Sequence, residues 1–186
     1  MVLNEMREFV ANRYGYKAWV ETLRRSGHQP TMHHELSQIY PDAELSVIAA
    51  SAAQVTGTPL PALVEAFGEA MLPDLMRTYS YLVDPSWTYD EFVMHLEPLL
   101  VQVLRLHTAG TTQTKLQVKR RGSGLLEVVY DSPLRACAAV HGVLVAAARE
   151  YGAKAEIDHV QCVLRGEPAC VFEIRIDAPP AAGQRP

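Results

Sequence analysis

The sequence predicts an α+β fold: an N-terminal helical subdomain followed by ββαββ, with a four-stranded antiparallel sheet. Three observations predict it. Apolar residues recur at helical spacing through the first hundred residues, the period changes to two from Thr114, and the alanine-rich run Leu134 to Tyr151 separates two alternating hairpins. With 48% apolar residues over 186 positions, the chain can bury a substantial interior as one domain. That domain is expected over residues 1–176, helical to about residue 110 and αβ from about 111, followed by a disordered tail over 177–186 that is rich in Pro and Ala.

Element by element, Leu3, Met6, Phe9, Val10, Tyr14, Trp19, Val20 and Leu23 mark one or two helices meeting at Tyr14-Gly15 and closed by Gly27. His28, His33 and His34 follow in a Pro-containing surface loop. Pro41-Asp42-Ala43-Glu44 starts a helix to about Gln54, with Asp42 as its cap. The next helix runs from Thr58-Pro59 to about Tyr81, with a kink or break at Pro73. After the turn Asp84-Pro85-Ser86-Trp87, a helix from Tyr89 to His107 is expected to bend at Pro98. Leu116/Val118 and Leu126/Val128/Tyr130 then alternate around Gly122-Ser123-Gly124 as the first hairpin. The second hairpin pairs 156–164 with 169–176 about the turn Arg165-Gly166-Glu167-Pro168.

All three cysteines, Cys137, Cys162 and Cys170, fall in the last third, and His159 lies three residues before the second. Thiolate and imidazole make the usual closed zinc set. A hairpin turning about Gly166 sets Cys162 and Cys170 opposite each other, with Cβ atoms about 4.5–5.5 Å apart. Buried core thiols, or an oxidisable cross-strand pair, fit the same spacing. His159 also stands on the wrong face: residues three apart in a regular strand point opposite ways, so convergence needs a bulge, a bend or a strand end.

Composition and motifs exclude several classes. A net charge of -4 gives no basic footprint for nucleic acid, and Lys119-Arg120-Arg121 reads as a solvated strand end. The N-terminal segment carries Glu5 and Glu8 where a signal peptide would be apolar, and no run approaches the roughly 20 apolar residues of a membrane span. The expected location is the cytoplasm, where clustered cysteines point to metal or redox chemistry. A phosphate loop, a Gly-x-Ser-x-Gly elbow and a His-Glu-x-x-His pair are all missing, so the sequence predicts no enzyme.

Several strings, in order, resemble the haem nitric oxide/oxygen binding (H-NOX) domain: Arg13-Tyr14-Gly15, Tyr40-Pro41-Asp42-Ala43-Glu44-Leu45, Ala66-Phe67-Gly68-Glu69, Glu91-Phe92 through Leu106, and Tyr130-Asp131-Ser132-Pro133. The resemblance covers residues 1–176 and implies a gas-sensor fold that binds haem through a histidine on the 89–107 helix. Leu100 stands at that position, in Leu96-Glu97-Pro98-Leu99-Leu100. His95 faces elsewhere on the helix, and His107 lies two turns, about 10 Å, away. The family's Tyr-x-Ser-x-Arg motif for the porphyrin propionates appears as Tyr130-x-Ser132, with Leu134 in the arginine place and Arg135 one residue late, and Thr111-Thr112-Gln113 replaces the proline that presses on the porphyrin. Some members also carry a zinc site made by a cysteine after the Tyr-x-Ser motif and a His-x2-Cys-x7-Cys string. Cys137, His159, Cys162 and Cys170 match every member of that set.

The resemblance therefore implies a sensor or binding module holding zinc and a hydrophobic ligand, such as a tetrapyrrole (haem or a corrinoid), without a histidine bond. Leu100, Tyr130, Ser132 and Arg135 are the candidate ligand contacts. Its alternatives are a zinc-thiolate redox sensor or a haem sensor with a non-standard iron ligand. The partner it implies is a signalling protein such as a histidine kinase or a cyclic-nucleotide enzyme, encoded separately.

Overall fold

A computed structural model describes residues 2–29, 42–107 and 114–177. His33, His34, Thr111-Thr112-Gln113 and the segment after Asp177 lie outside the described residues. The elements are α1 (Val2–Tyr14), α2 (Tyr16–Arg25), α3 (Asp42–Thr56), α4 (Leu60–Thr78), α5 (Tyr89–Met94), α6 (Leu96–His107), β1 (Lys115–Gly122), β2 (Leu125–Asp131), α7 (Cys137–Glu150), β3 (Ala155–Gln161) and β4 (Cys170–Ile176). The four strands form one sheet in the order β1-β2-β4-β3, with every neighbouring pair antiparallel. Helices followed by ββαββ is the architecture that the change of period predicts.

Buried apolar residues form two clusters. One gathers Leu3, Phe9, Val10, Trp19, Leu23, Ile48, Leu63 and Phe67 from α1 to α4. The other gathers Leu72, Tyr89, Phe92, Val93, Leu126, Val128, Leu144, Phe172 and Ile174 around one face of the sheet. Helix α4 belongs to both, through Leu63 and Phe67 at one end and Leu72 at the other. It meets α7 main chain to main chain: a Cβ on Gly68 would lie 2.2 Å from the Ala139 carbonyl oxygen, and one on Gly142 would lie 2.1 Å from the Glu65 carbonyl oxygen. Only glycine permits that approach.

The two prolines act in different ways. Helix α4 continues through Pro73, which stands on its exposed side. The expected 89–107 helix is instead two helices, and the break falls at His95 rather than at Pro98. A proline ring clashes with the carbonyl four residues earlier, so its effect appears one turn toward the N-terminus, at Met94-His95. Pro98 then stands in the first turn of α6, where a missing N–H costs nothing.

Near the cysteines two boundaries also move. Helix α7 starts at Cys137 rather than Leu134, because Arg135 adopts φ 52°, a left-handed conformation incompatible with a helix. Strand β3 ends at Gln161, and a 3-10 turn over Val163–Arg165 follows, closed by Gly166 at φ 92°. Among the described residues no single helix is long and apolar enough to cross a membrane.

Candidate metal centre

Strand β3 solves the parity problem of His159 with a bulge. His159 pairs with Phe172 and Gln161 with Val171, so Val160 is an extra residue with no partner on β4. His159 and Cys162, three apart in sequence, thereby behave as if two apart and reach the same face. Beyond the strand the chain folds into a tight knuckle: the main-chain N–H groups of Arg165 and Glu167 donate to the Cys162 carbonyl at 2.9 and 3.2 Å. The Val163 N–H points at Cys170 Sγ, 3.5 Å away.

Cys170 opens β4 and pairs with Tyr130 across the sheet. Cys137 arrives from another element, as the first residue of α7. One ligand atom from each of Cys137, His159, Cys162 and Cys170 lies within 4.8 Å of all the others. The three thiols are free and buried. Cys137 Sγ and Cys162 Sγ are 3.7 Å apart. A tetrahedral zinc with Zn–S near 2.3 Å spaces its sulfurs about 3.8 Å apart, so the pair already has the separation that one shared ion requires.

The electrostatics fit the same chemistry. Burial and the hydrogen bond with Cys162 push the Cys137 thiol up to about 12. Burial also pushes Cys162 upward, but main-chain N–H groups of Leu164 and Arg165, with the neighbouring thiol, more than offset it, and its net direction is down. Cys170 is raised, by burial first. Cys162 is thus the sulfur that becomes a thiolate first, because N–H donors stabilise the charged form. Burial, then the charges of Arg165 and His141, hold His159 below the usual imidazole range, which favours the neutral ring that metal ligation uses. Its Nε2 is buried without a hydrogen-bond partner. Its ring stacks on Phe172 at 4.3 Å, and its main-chain carbonyl accepts from the Arg165 guanidinium at 2.8 Å.

A histidine with an orphaned ring nitrogen, clustered with three buried thiols, fits a zinc ion well. The other expected contacts are not gathered in this way. Leu100, half-buried on α6, packs against the sheet core with a side chain that has no donor atom. Tyr130 is buried and hydrogen-bonds with Ser132 and with the main chain of Ala136. Ser132 Oγ is also 2.8 Å from Thr114 Oγ1 and accepts the Leu134 N–H at 3.3 Å. Arg135 is exposed, beside an open groove of about 520 Å³ shared with Lys115, Asp131 and Glu167. His95 stacks on Trp87 at 4.2 Å, with Nδ1 2.7 Å from the Glu91 carbonyl. Leu100, at the expected iron position, therefore does not fit an iron-bonded haem, because leucine has no atom that coordinates a metal.

Sequence reasoning missed Phe172, Glu65 and His141 around this centre. The signal was present for His141, which lies four residues after Cys137 and so on the same helix face. His28, expected in a surface loop, is half-buried and tied to Glu44 at 2.8 Å and to Ser26 at 3.0 Å.

The helical part, the ββαββ sheet and the placement of these residues together define an H-NOX fold. The model of the haem-NO-binding family matches residues 1–159, and the chain belongs to that family. It is similar to the crystal structure of an H-NOX protein from S. oneidensis in the Fe(II)NO ligation state, at 21% identity and a TM-score of 0.85, over 95% of this chain and 98% of that one. It is likewise similar to the structure of a mutant T. tengcongensis H-NOX, at 16% identity and a TM-score of 0.84, over 96% of each chain. At these identities the likeness shows the fold. No curated protein matches the chain.

Proposed function

We propose that this chain is a non-enzymatic sensor module of the H-NOX fold whose metal chemistry lies in a Cys3His zinc centre, and which forms no histidine-ligated haem. The observation that carries the proposal is the convergence of Cys137, His159, Cys162 and Cys170, with ligand atoms within 4.8 Å of one another and the His159 Nε2 left without another partner. Bound there, zinc supplies a cross-link among thiolates. The chain's own residues do the rest: the knuckle N–H groups hold Cys162 and Cys170, Phe172 orients the imidazole, and Cys137 ties α7 to the last hairpin.

Leu100 supports the haem-free half of the reading, because a hydrocarbon occupies the place of the iron ligand. The match to the haem-NO-binding family supports an apolar ligand in the space which that family's fold leaves between the Leu100 helix and the distal helices. A tetrapyrrole such as a corrinoid, whose metal keeps its own axial ligands, suits such a space. Tyr130, Ser132 and Arg135 would offer hydrogen bonds to its carboxylate or amide arms. The output is a cytoplasmic signalling partner, such as a histidine kinase or a cyclic-nucleotide enzyme.

Elemental analysis with an absorbance scan of the purified protein tests this. About one zinc per chain and no Soret band are expected, with zinc lost in Cys170→Ser. A strong Soret band abolished by replacing His95 or His107 would sink the haem-free reading. Metal-free protein with three ordinary thiols would sink the zinc reading.

The 3.7 Å separation of Cys137 and Cys162 favours a second, redox reading of the same centre. Two thiolates and one hydrogen peroxide give a disulfide and two hydroxide ions, which removes two ligands and releases the ion. Zinc release in proportion to added peroxide, reversed by thiol reductant, is the outcome that reading requires.

A further inference from the structure

Outside the ligand set, one histidine spans three elements. His141 Nδ1 lies 3.0 Å from Glu65 Oε1 on α4, and its Nε2 lies 3.4 Å from the carbonyl oxygen of Ile157 on β3. A carbonyl and a carboxylate both only accept, so the His141 ring is the donor to Ile157 and to Glu65 alike. Ile157 stands two residues before His159, on a strand that among the described residues has a partner on one side only. The ring of His141 also stacks on Phe172 at 6.2 Å, and Phe172 stacks on His159 at 4.3 Å. Two routes, one through the β3 main chain and one through Phe172, thus lead from the ligand imidazole to His141.

On its other side His141 grips a helix that cannot slide freely. The carbonyl of Glu65 touches the main chain at Gly142, the residue after His141, and Leu63 and Phe67 flank Glu65 inside the helical core. A shift of the Glu65 side chain is therefore felt by a helix whose neighbouring residues form the core of α1 to α4.

We propose that His141 is a positioning residue that couples the metal centre to the helical subdomain. Seating His159 on the ion holds β3, and with it the Ile157 carbonyl, against His141, which in turn holds Glu65 and α4. The coupling rests on the zinc reading above and adds how occupancy of that centre is communicated. Because coupling is reciprocal, weakening the His141 to Glu65 contact weakens zinc binding, and loading zinc tightens α4.

The test uses the full chain as wild type, Glu65→Ala, His141→Leu and the double variant. Zinc affinity is read by chelator competition, and amide exchange over α4 is read with and without zinc. In the wild type zinc is expected to slow exchange around Leu63 to Phe67. Each single variant is expected to lose most of that zinc-dependent slowing and to bind zinc about 5-fold more weakly, the lower end of ordinary site coupling. The double variant is expected to be no weaker than the weaker single one, since both break the same link. Wild-type affinity and undiminished slowing in the variants would overturn the coupling alone. A wild-type protein that takes up no zinc would overturn the metal reading, and the coupling with it. Should His141→Leu fail to fold, Glu65→Ala, a change at a partly exposed carboxylate, decides the matter by itself.

Discussion

Gly142 and Tyr89 show how single residues set the limits of this fold. At Gly142 an added methyl would lie 2.1 Å from the Glu65 carbonyl oxygen, a main-chain atom that cannot turn aside. Gly142→Ala is expected to force α4 and α7 apart at a cost of about 3 kcal/mol, the upper end for overpacking, read as a lower urea midpoint. An unchanged midpoint would mean that the helices do not touch there. Tyr89 is buried and donates to the Leu144 carbonyl at 3.1 Å. Burial raises its phenol well above the ordinary range. With the folded value raised, the unfolded chain loses its proton first, so the contribution is full below pH about 10 and is lost progressively as pH climbs from there toward the raised folded value. Tyr89→Phe is expected to cost about 1 kcal/mol at neutral pH and to flatten the fall in melting temperature above pH about 10. Tyr130, also raised by burial, keeps part of that fall in place.

Among the elements, α4 and the α5–α6 pair test one rule in two settings. Pro73 leaves the Glu69 carbonyl without its helical donor in mid-helix, whereas Pro98 stands in a first turn that needs none. Pro73→Ala is expected to raise stability by about 1–2 kcal/mol after the gain in unfolded-state freedom is subtracted, and Pro98→Ala to change it by less than about 1 kcal/mol. Thermal unfolding of the two variants side by side checks this, and equal effects would contradict it. Helices with an apolar stripe and strands with strict alternation were legible because 3.6 and 2 are local periods. The break at His95 was misplaced because the clash of Pro98 acts on a carbonyl a turn away. The start of α7 was misplaced because the left-handed turn at Arg135 leaves no compositional mark.

For the whole molecule, the proposed metal centre joins parts that the chain separates by 33 residues, from Cys137 to Cys170. An ion that binds only the folded state stabilises it by mass action, about 2.7 kcal/mol when free zinc is a hundred times its dissociation constant. Chelator treatment is expected to remove that amount and lower the urea midpoint, and Cys137→Ser is expected to make the midpoint insensitive to zinc. A midpoint that ignores zinc in the wild type would show that the thiols are packing alone. The string His159-x2-Cys162-x7-Cys170 announced the donor types, and the change of period announced helices followed by ββαββ, because both are written in neighbouring residues. Tertiary structure alone decided that the bulge at Val160 turns His159 toward the thiols, that Cys137 meets them from α7, and that Gly68, Gly142, Glu65 and His141 hold the two halves together. Those are contacts between segments far apart in sequence, set by how closely main chains approach, and no local spacing encodes that distance.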